Sequence, residues 1–196
     1  NAKGQIIGKS GTSLGKSFNS SITYDAYGRP TSSTENNATD SKSFYQNNIS
    51  YDTYGRIQSY SKGLISSGTT TVVNIQQVYD SWSGALYQVK NKTNGAVLWE
   101  LQTTNARGQT LTEKLGATNI TNVYDANNFL SSINHSSTIK PNILSISYSF
   151  NAIKNELNSR TTGGDFSITE YFTYDDNNRL INWTNPRTGQ QSINIY

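Results

Sequence analysis

An aromatic residue followed by Asp or Asn recurs along this chain, with Gly or Asn three residues later, and that recurrence constrains the fold more than anything else in it. Three copies are plain: Tyr24-Asp25-Ala26-Tyr27-Gly28-Arg29, Tyr51-Asp52-Thr53-Tyr54-Gly55-Arg56-Ile57 and Tyr174-Asp175-Asp176-Asn177-Asn178-Arg179-Leu180. Looser copies stand between them. Tyr79-Asp80-Ser81-Trp82-Ser83-Gly84-Ala85-Leu86 carries one extra residue, and Tyr124-Asp125-Ala126-Asn127-Asn128-Phe129-Leu130 replaces Gly by Asn. Phe150-Asn151 keeps the aromatic, Asn105-Ala106-Arg107-Gly108-Gln109 loses it, and Asn1-Ala2-Lys3-Gly4-Gln5-Ile6 enters the motif at its acid position. The acid positions 1, 25, 52, 80, 105, 125, 151 and 175 are separated by 24, 27, 28, 25, 20, 26 and 24 residues. A regular motif at irregular spacing means a fixed turn between connections of variable length. The final Ile195-Tyr196 falls where the next Tyr is due, so the chain reads as a single array, residues 1–196, of about eight repeats excised from a larger protein.

Each motif residue has a physical task. The aromatic ends an alternating stretch, as in Ile146-Ser147-Tyr148-Ser149-Phe150, where the apolar residues share one face. The Asp or Asn oxygen caps the turn, and Gly or Asn tolerates the positive φ that a tight turn demands. Arg or Gln starts the outgoing strand, followed by an apolar residue at Ile6, Ile57, Leu86, Leu130 and Leu180. Tyr24, Asp25, Gly28, Arg29, Tyr51, Asp52, Gly55, Arg56, Tyr79, Asp80, Tyr124, Asp125, Tyr174, Asp175 and Arg179 are therefore assigned to turn structure. The unit is strand, turn, strand, then a longer polar connection such as Ser32 to Ser41 or Lys62 to Thr71. Tandem hairpins predict an all-β fold of roughly sixteen short strands in a strongly twisted, mostly antiparallel sheet. Its inward face should hold the repeat aromatics and its outward face Ser, Thr, Asn and Gln.

Composition agrees and excludes several function classes. Only 33% of residues are hydrophobic and 15% charged, yet thirteen Tyr, three Trp and six Phe argue for a folded β chain rather than a disordered one. The net charge of +3 is spread out, without the basic run of a nucleic-acid binder. No stretch nears the roughly 20 apolar residues that span a bilayer, so membrane insertion is not expected. The absence of Cys removes disulfides and thiolate metal sites. It suits a bacterial protein that is secreted or displayed at the cell surface. With no Met and no signal peptide, the chain reads as a processed segment.

The Tyr-Asp-x-x-Gly-Arg pattern resembles the RHS or YD-repeat family, whose members include bacterial RHS proteins, the B and C components of insecticidal toxin complexes, and teneurins. The stretch Leu98 to Gly116, LWELQTTNARGQTLTEKLG, resembles the segment preceding a Leu-Gly turn in long toxin-type members. The resemblance covers essentially the whole chain. It implies a β-sheet spiralling into a hollow shell that in toxin members encloses a C-terminal effector, and it makes flanking RHS repeats the expected partners. Other members are linked to adhesion or carbohydrate binding. This chain is much shorter than a closed shell, and it shows neither the terminal cleavage motif nor a variable toxin tail.

Enzymatic sites find little support in the residues. The single His135 reads as a surface-loop histidine rather than a triad base. The acids Asp25, Asp52, Asp80, Asp125 and Asp175 sit at equivalent turn positions, where turn formation explains them better than catalysis. Asp175-Asp176-Asn177-Asn178 lacks the spacing and distal Glu of a calcium loop, so no metal and no cofactor are expected. Gly8-Lys9-Ser10-Gly11 lacks the full spacing of a phosphate loop. Sequons such as Asn37-Ala38-Thr39, Asn48-Ile49-Ser50 and Asn182-Trp183-Thr184 follow from composition. Tyr27, Tyr54 and Trp82, two residues past their acids, offer a row of aromatics for stacking on a polysaccharide, although packing against the neighbouring hairpin is the expected use of such area. Trp99 and Trp183 are expected in the core. The chain is thus expected to be a non-catalytic scaffold, a wall segment, with a carbohydrate-binding or adhesion module as the alternative.

Overall fold

The computed structural model describes residues 1–37 and 39–194. The expected repeat start at Ile195-Tyr196 and the centre of the Asn37-Ala38-Thr39 sequon lie outside them. Among the described residues there are sixteen strands and no helix. The chain divides into two compact units, Asn1–Trp99 and Glu100–Tyr196.

The first unit contains β1 (Gly8–Ser13), β2 (Lys16–Tyr24), β3 (Pro30–Asn37), β4 (Lys42–Tyr51), β5 (Ile57–Ser66), β6 (Thr69–Tyr79) and β7 (Leu86–Asn91), and its boundary falls inside β8 (Val97–Thr104). From β1 to β7 each strand pairs antiparallel with the next one in the chain. The second unit contains β9 (Thr110–Leu115), β10 (Thr118–Tyr124), β11 (Leu130–Ser136), β12 (Leu144–Asn151), β13 (Glu156–Gly163), β14 (Ile168–Tyr174), β15 (Leu180–Thr184) and β16 (Gln191–Ile193), again paired antiparallel in chain order. Each is a meander of hairpins, as tandem turn motifs require.

The expected long polar connections are absent. Ser32 to Ser41 runs through β3, and Lys62 to Thr71 runs through β5 and β6 around a Ser67-Gly68 turn with φ of 50° and 79°. A polar Ser/Thr-rich stretch pairs as strand here because an adjacent tight turn brings it back on itself, and two consecutive left-handed residues are the signature of such a turn. His135 is likewise not in a loop. It lies within β11, opposite Ile120 of β10 and Leu144 of β12.

The repeat tyrosines Tyr24, Tyr51, Tyr79, Tyr124 and Tyr174 are half-buried, and so are Trp99 and Trp183. The expected polar outward face is mixed. Tyr45, Gly63 and Val72 are cross-strand partners, and a Cβ on Gly63 would lie 2.2 Å from the Tyr45 ring, so this tyrosine rests on a glycine hollow. Among the described residues only Ile75 and Ile120 are buried apolar side chains, and Phe18, Phe44, Leu64, Val72 and Val73 stay substantially exposed. Within each unit the described strands contact only their neighbours along the chain, and hairpins that pair edge to edge supply no second layer of their own.

Candidate functional site: the Tyr-Asp turn ladder

At Asp25 the chain makes a three-residue hairpin loop. The Asp25 N–H donates to the Arg29 carbonyl at 2.9 Å, and Gly28 N–H donates to the Asp25 carbonyl at 3.0 Å. Asp25 Oδ1 accepts from the N–H groups of Tyr27 and Arg29, both at 2.9 Å. Asp52, Asp125 and Asp175 repeat this pattern at the same distances, and Asn105 repeats it at 3.0 and 3.1 Å. The third loop residue is left-handed: φ is 85° at Gly28, 80° at Gly55, 68° at Asn128 and 58° at Asn178. A four-residue loop is the second form. In it the left-handed residue comes one place later, at Gly84 after Asp80 and at Asn155 after Asn151. Two further turns of this second form, at Asn91 with Gly95 and at Asn185 with Gly189, were missed in the sequence. Their Asn-x-x-x-Gly spacing was the available signal.

At the motif turns the register slips beside the repeat aromatic, at Tyr24, Tyr51, Tyr79, Tyr124, Phe150 and Tyr174, whereas pairing across the Asn185 turn runs without a slip. The slips are β-bulges at a constant phase of the repeat, and a bulge sharpens local twist.

The Arg that follows each loop does more than open a strand. Arg29 Nε donates to Asp25 Oδ2 at 2.8 Å, and Arg56 does the same to Asp52 at 2.7 Å. Each guanidinium also lies over the tyrosine of the next repeat, Arg29 at 4.2 Å from the Tyr51 ring centre and Arg56 at 4.1 Å from that of Tyr79. Those tyrosines reach back: Tyr51 Oη donates to the Pro30 carbonyl at 2.7 Å and Tyr79 Oη to the Ile57 carbonyl at 2.8 Å. Tyr24 closes the same link on Ile6, and Tyr124 closes it on Thr110. Arg56 Nη1 also donates to the carbonyl of Gly84 at 2.9 Å, one repeat ahead. The motif is therefore a clasp between neighbouring repeats as well as a turn.

The clasp survives changes of chemistry. In the two three-residue loops where the acid is Asn, the partner is Gln: Asn1 Nδ2 donates to Gln5 Oε1 at 2.9 Å and Asn105 Nδ2 to Gln109 Oε1 at 2.7 Å. Gln5 Nε2 then reaches the Gly28 carbonyl at 2.9 Å, and it lies 3.0 Å from where a Gly28 Cβ would stand. Phe129 occupies the Arg position and stacks on Phe150, in the Tyr position, with ring centres 4.8 Å apart. This pairing of Asp with Arg and Asn with Gln was legible in the sequence and passed unread.

Electrostatics follow the geometry. The Asp25 carboxyl sits below its ordinary value of 3.8, chiefly through the Arg29 backbone N–H and then the Arg29 side chain. For Asp52 partial burial pushes upward, and the Arg56 backbone and side-chain bonds outweigh it to give a net lowering. Asp80 is lowered by the backbone and hydroxyl of Ser83, and Asp175 by the Arg179 side chain and backbone. Burial raises Tyr51 and Tyr79. Among the described residues no three His, Cys, Asp or Glu side chains gather round one point. The turn aromatics do not pack on neighbouring hairpins, contrary to expectation: Tyr27, Tyr54 and Trp82 are 85, 82 and 97% exposed. Loops this short project the second residue after the acid away from the sheet. The guanidiniums of Arg29 and Arg56 lie over the rings of Tyr27 and Tyr54 of their own turns, 5.1 and 5.0 Å from the ring centres.

The fold built on this ladder is the RHS-type tandem-hairpin fold. Among solved structures, the crystal structure of TcdB2-TccC3-Cdc42 aligns with 90% of this chain at a TM-score of 0.53 and 16% identity. The crystal structure of TcdB2-TccC3 aligns with 90% at 0.52 and 16%, and the Photorhabdus luminescens Tc holotoxin pore with 89% at 0.52 and 17%. The chain spans about a tenth of the length of these proteins, covering 10, 10 and 9% of them. No protein-family model matches the chain, and no curated protein matches it.

Proposed function

We propose that this chain is a non-catalytic stretch of wall in a secreted or cell-surface RHS-type protein of the toxin class. Its partners would be flanking repeats of the same array and, where such a wall closes, an enclosed C-terminal effector. The observation that carries this reading is the bare sheet. Sixteen strands with only two buried apolar side chains among the described residues make a surface that needs more protein against it. The turn chemistry is also used in clasping one repeat to the next, and Asp25, Asp52 and Asp175 each face their own Arg partner. Single-layer wall needs little else. Sedimentation velocity of the chain over a concentration series tests the reading. Concentration-dependent association, with binding of an apolar dye, is expected. A monomer at every concentration that binds no dye would refute it.

A second reading is favoured by one observation, the exposure of Tyr27, Tyr54 and Trp82. Solvent-facing rings one repeat apart suit stacking on sugar rings along a polysaccharide. Titration with cell-surface polysaccharide is expected to give binding that the combined Tyr27→Ala, Tyr54→Ala and Trp82→Ala variant loses. Binding that survives all three changes would rule these rings out.

A further inference from the structure

A polar hollow of about 340 Å³ lies in the first unit, away from the turn ladder, lined by Asn48, Ser59, Ser61, Asn74, Lys92 and Thr93 among others. Register builds it. Asn47, Ser61 and Asn74 are successive cross-strand partners over β4, β5 and β6, and the N–H of Lys92, the first residue past β7, donates to the Asn74 carbonyl at 2.7 Å. Pairing jumps from Asn47 to Ser50 on β4, and Asn48 takes a left-handed φ of 53° inside that bulge. Bulges re-aim side chains, and a non-glycine residue held in this region marks a locally over-determined backbone.

The side chains form one connected polar set. Ser59 is 6% exposed; its hydroxyl shares a 2.7 Å bond with Ser50 and lies 3.1 Å from Lys92 Nζ, which donates to it. Ser61 Oγ donates to Asn74 Oδ1 at 2.8 Å, Asn74 Nδ2 donates to Thr93 Oγ1 at 3.1 Å, and Asn48 Nδ2 leans on Ser61 Oγ at 3.5 Å. No carboxylate lines the hollow. Lys92 forms no ion pair among the described residues, as is true of most Lys and Arg of the chain, but it is the cation that lines this hollow. An ammonium has three donors, and one is used on Ser59. Lys92 is exposed, so the other two stand open at the mouth of the hollow, to water or to a ligand.

We propose that this hollow binds a single oxyanion carried on a small hydroxylated ring, that is, one acidic monosaccharide unit. Lys92 Nζ takes the carboxylate or sulfate. Asn48, Ser61, Asn74 and Thr93 exchange hydrogen bonds with ring hydroxyls, since each can both donate and accept. The volume lies at the low end of small-molecule sites and admits one ring rather than a chain of them. The proposal depends neither on the wall reading nor on the turn aromatics.

Titration of the full chain with glucuronate, glucose and acetate, followed by backbone amide shifts at Asn74 and Thr93, tests it. Glucuronate is expected to bind about tenfold more tightly than glucose or acetate and to weaken steeply with added salt. Lys92→Gln should weaken glucuronate about tenfold while leaving glucose unchanged, and Lys92→Arg should keep most of the affinity. The Tyr27→Ala, Tyr54→Ala, Trp82→Ala variant should bind glucuronate as the parent chain does, which separates this hollow from the turn rings. Tighter binding of a glucuronate-containing oligosaccharide than of glucuronate would mark the ligand as polymer-borne, and equal binding would mark it as free. Equal affinity for glucuronate and glucose, equal affinity for glucuronate and acetate, no binding of any probe, or indifference to Lys92→Gln would each overturn the proposal.

Discussion

Removing Arg56 should loosen the contact between two repeats without destroying the hairpin that carries it. The Asp52 turn is held by backbone N–H groups on the carboxylate, and these remain in Arg56→Ala. Two contacts to the next repeat go: the guanidinium over Tyr79 at 4.1 Å and the hydrogen bond to the Gly84 carbonyl at 2.9 Å. A partly desolvated cation–π contact contributes about 1 kcal/mol, and a hydrogen bond from a charged donor at least about 1 kcal/mol. Together they make about 2 kcal/mol, or a shift of about 1 M in the urea midpoint at a typical m value. Arg56→Phe recreates the Phe129–Phe150 rung, whose rings stack 4.8 Å apart, and should recover about 1 kcal/mol of the loss. The assay is urea unfolding by tyrosine and tryptophan fluorescence, with exchange of the Gly84 amide as a local probe of the same rung. If Arg56→Phe is as damaging as Arg56→Ala, or if Arg56→Ala moves the midpoint by less than about 0.2 M, the clasp is not what joins these repeats.

The Asp–Arg and Asn–Gln pairs should exchange as units: Asp25→Asn alone lowers Tm, and adding Arg29→Gln restores part of it by forming the side-chain bond seen between Asn105 and Gln109. Additive effects on Tm would refute that coupling. Acid should weaken the ladder in a definite window. Asp25, Asp52, Asp80 and Asp175 are all depressed in the folded chain, so the stability they confer is complete above the ordinary carboxylate value of 3.8 and is lost as pH falls through their lower folded values. Calorimetry should find Tm flat above about pH 5 and falling below about pH 4, and a Tm that rises on acidification would contradict the sign. Gly63→Ala should cost about 1–3 kcal/mol because the new methyl overlaps the Tyr45 ring, and combined with Tyr45→Ala it should cost less than the sum of the two single changes.

The turn could be read from sequence because its determinants are local. Asp25 bonds residues two and four places on, and the left-handed site three places on accepts only Gly or Asn comfortably, so the signal sits in six consecutive letters. Strand number followed from counting turns, and all-antiparallel pairing from joining them tightly. The rungs between repeats escaped because Arg29 and Tyr51 meet across 22 residues, and each already had a sufficient local explanation. The strand character of Ser32 to Ser41 escaped because its pairing is decided by the turns that return it rather than by its own propensity. Burial was overestimated for Tyr27, Tyr54 and Trp82, since aromatic content favours packing but a three- or four-residue loop leaves its tip nothing to pack on. The polar hollow had no sequence signature at all: Asn48, Ser59, Asn74 and Lys92 come together only through register.

From β1 to β7, and again from β9 to β16, no strand pairs with anything but its neighbours along the chain. Pairing of that kind makes length a free variable. A hairpin can be added or removed in phase, at 24 to 28 residues for the plainer copies, and every remaining hydrogen-bonded ladder keeps its partner. Growth by duplication therefore meets no topological obstacle, and drift within a copy is checked only by the rung on either side. Chains of this kind are free to lengthen repeat by repeat while their individual letters wander far from one another.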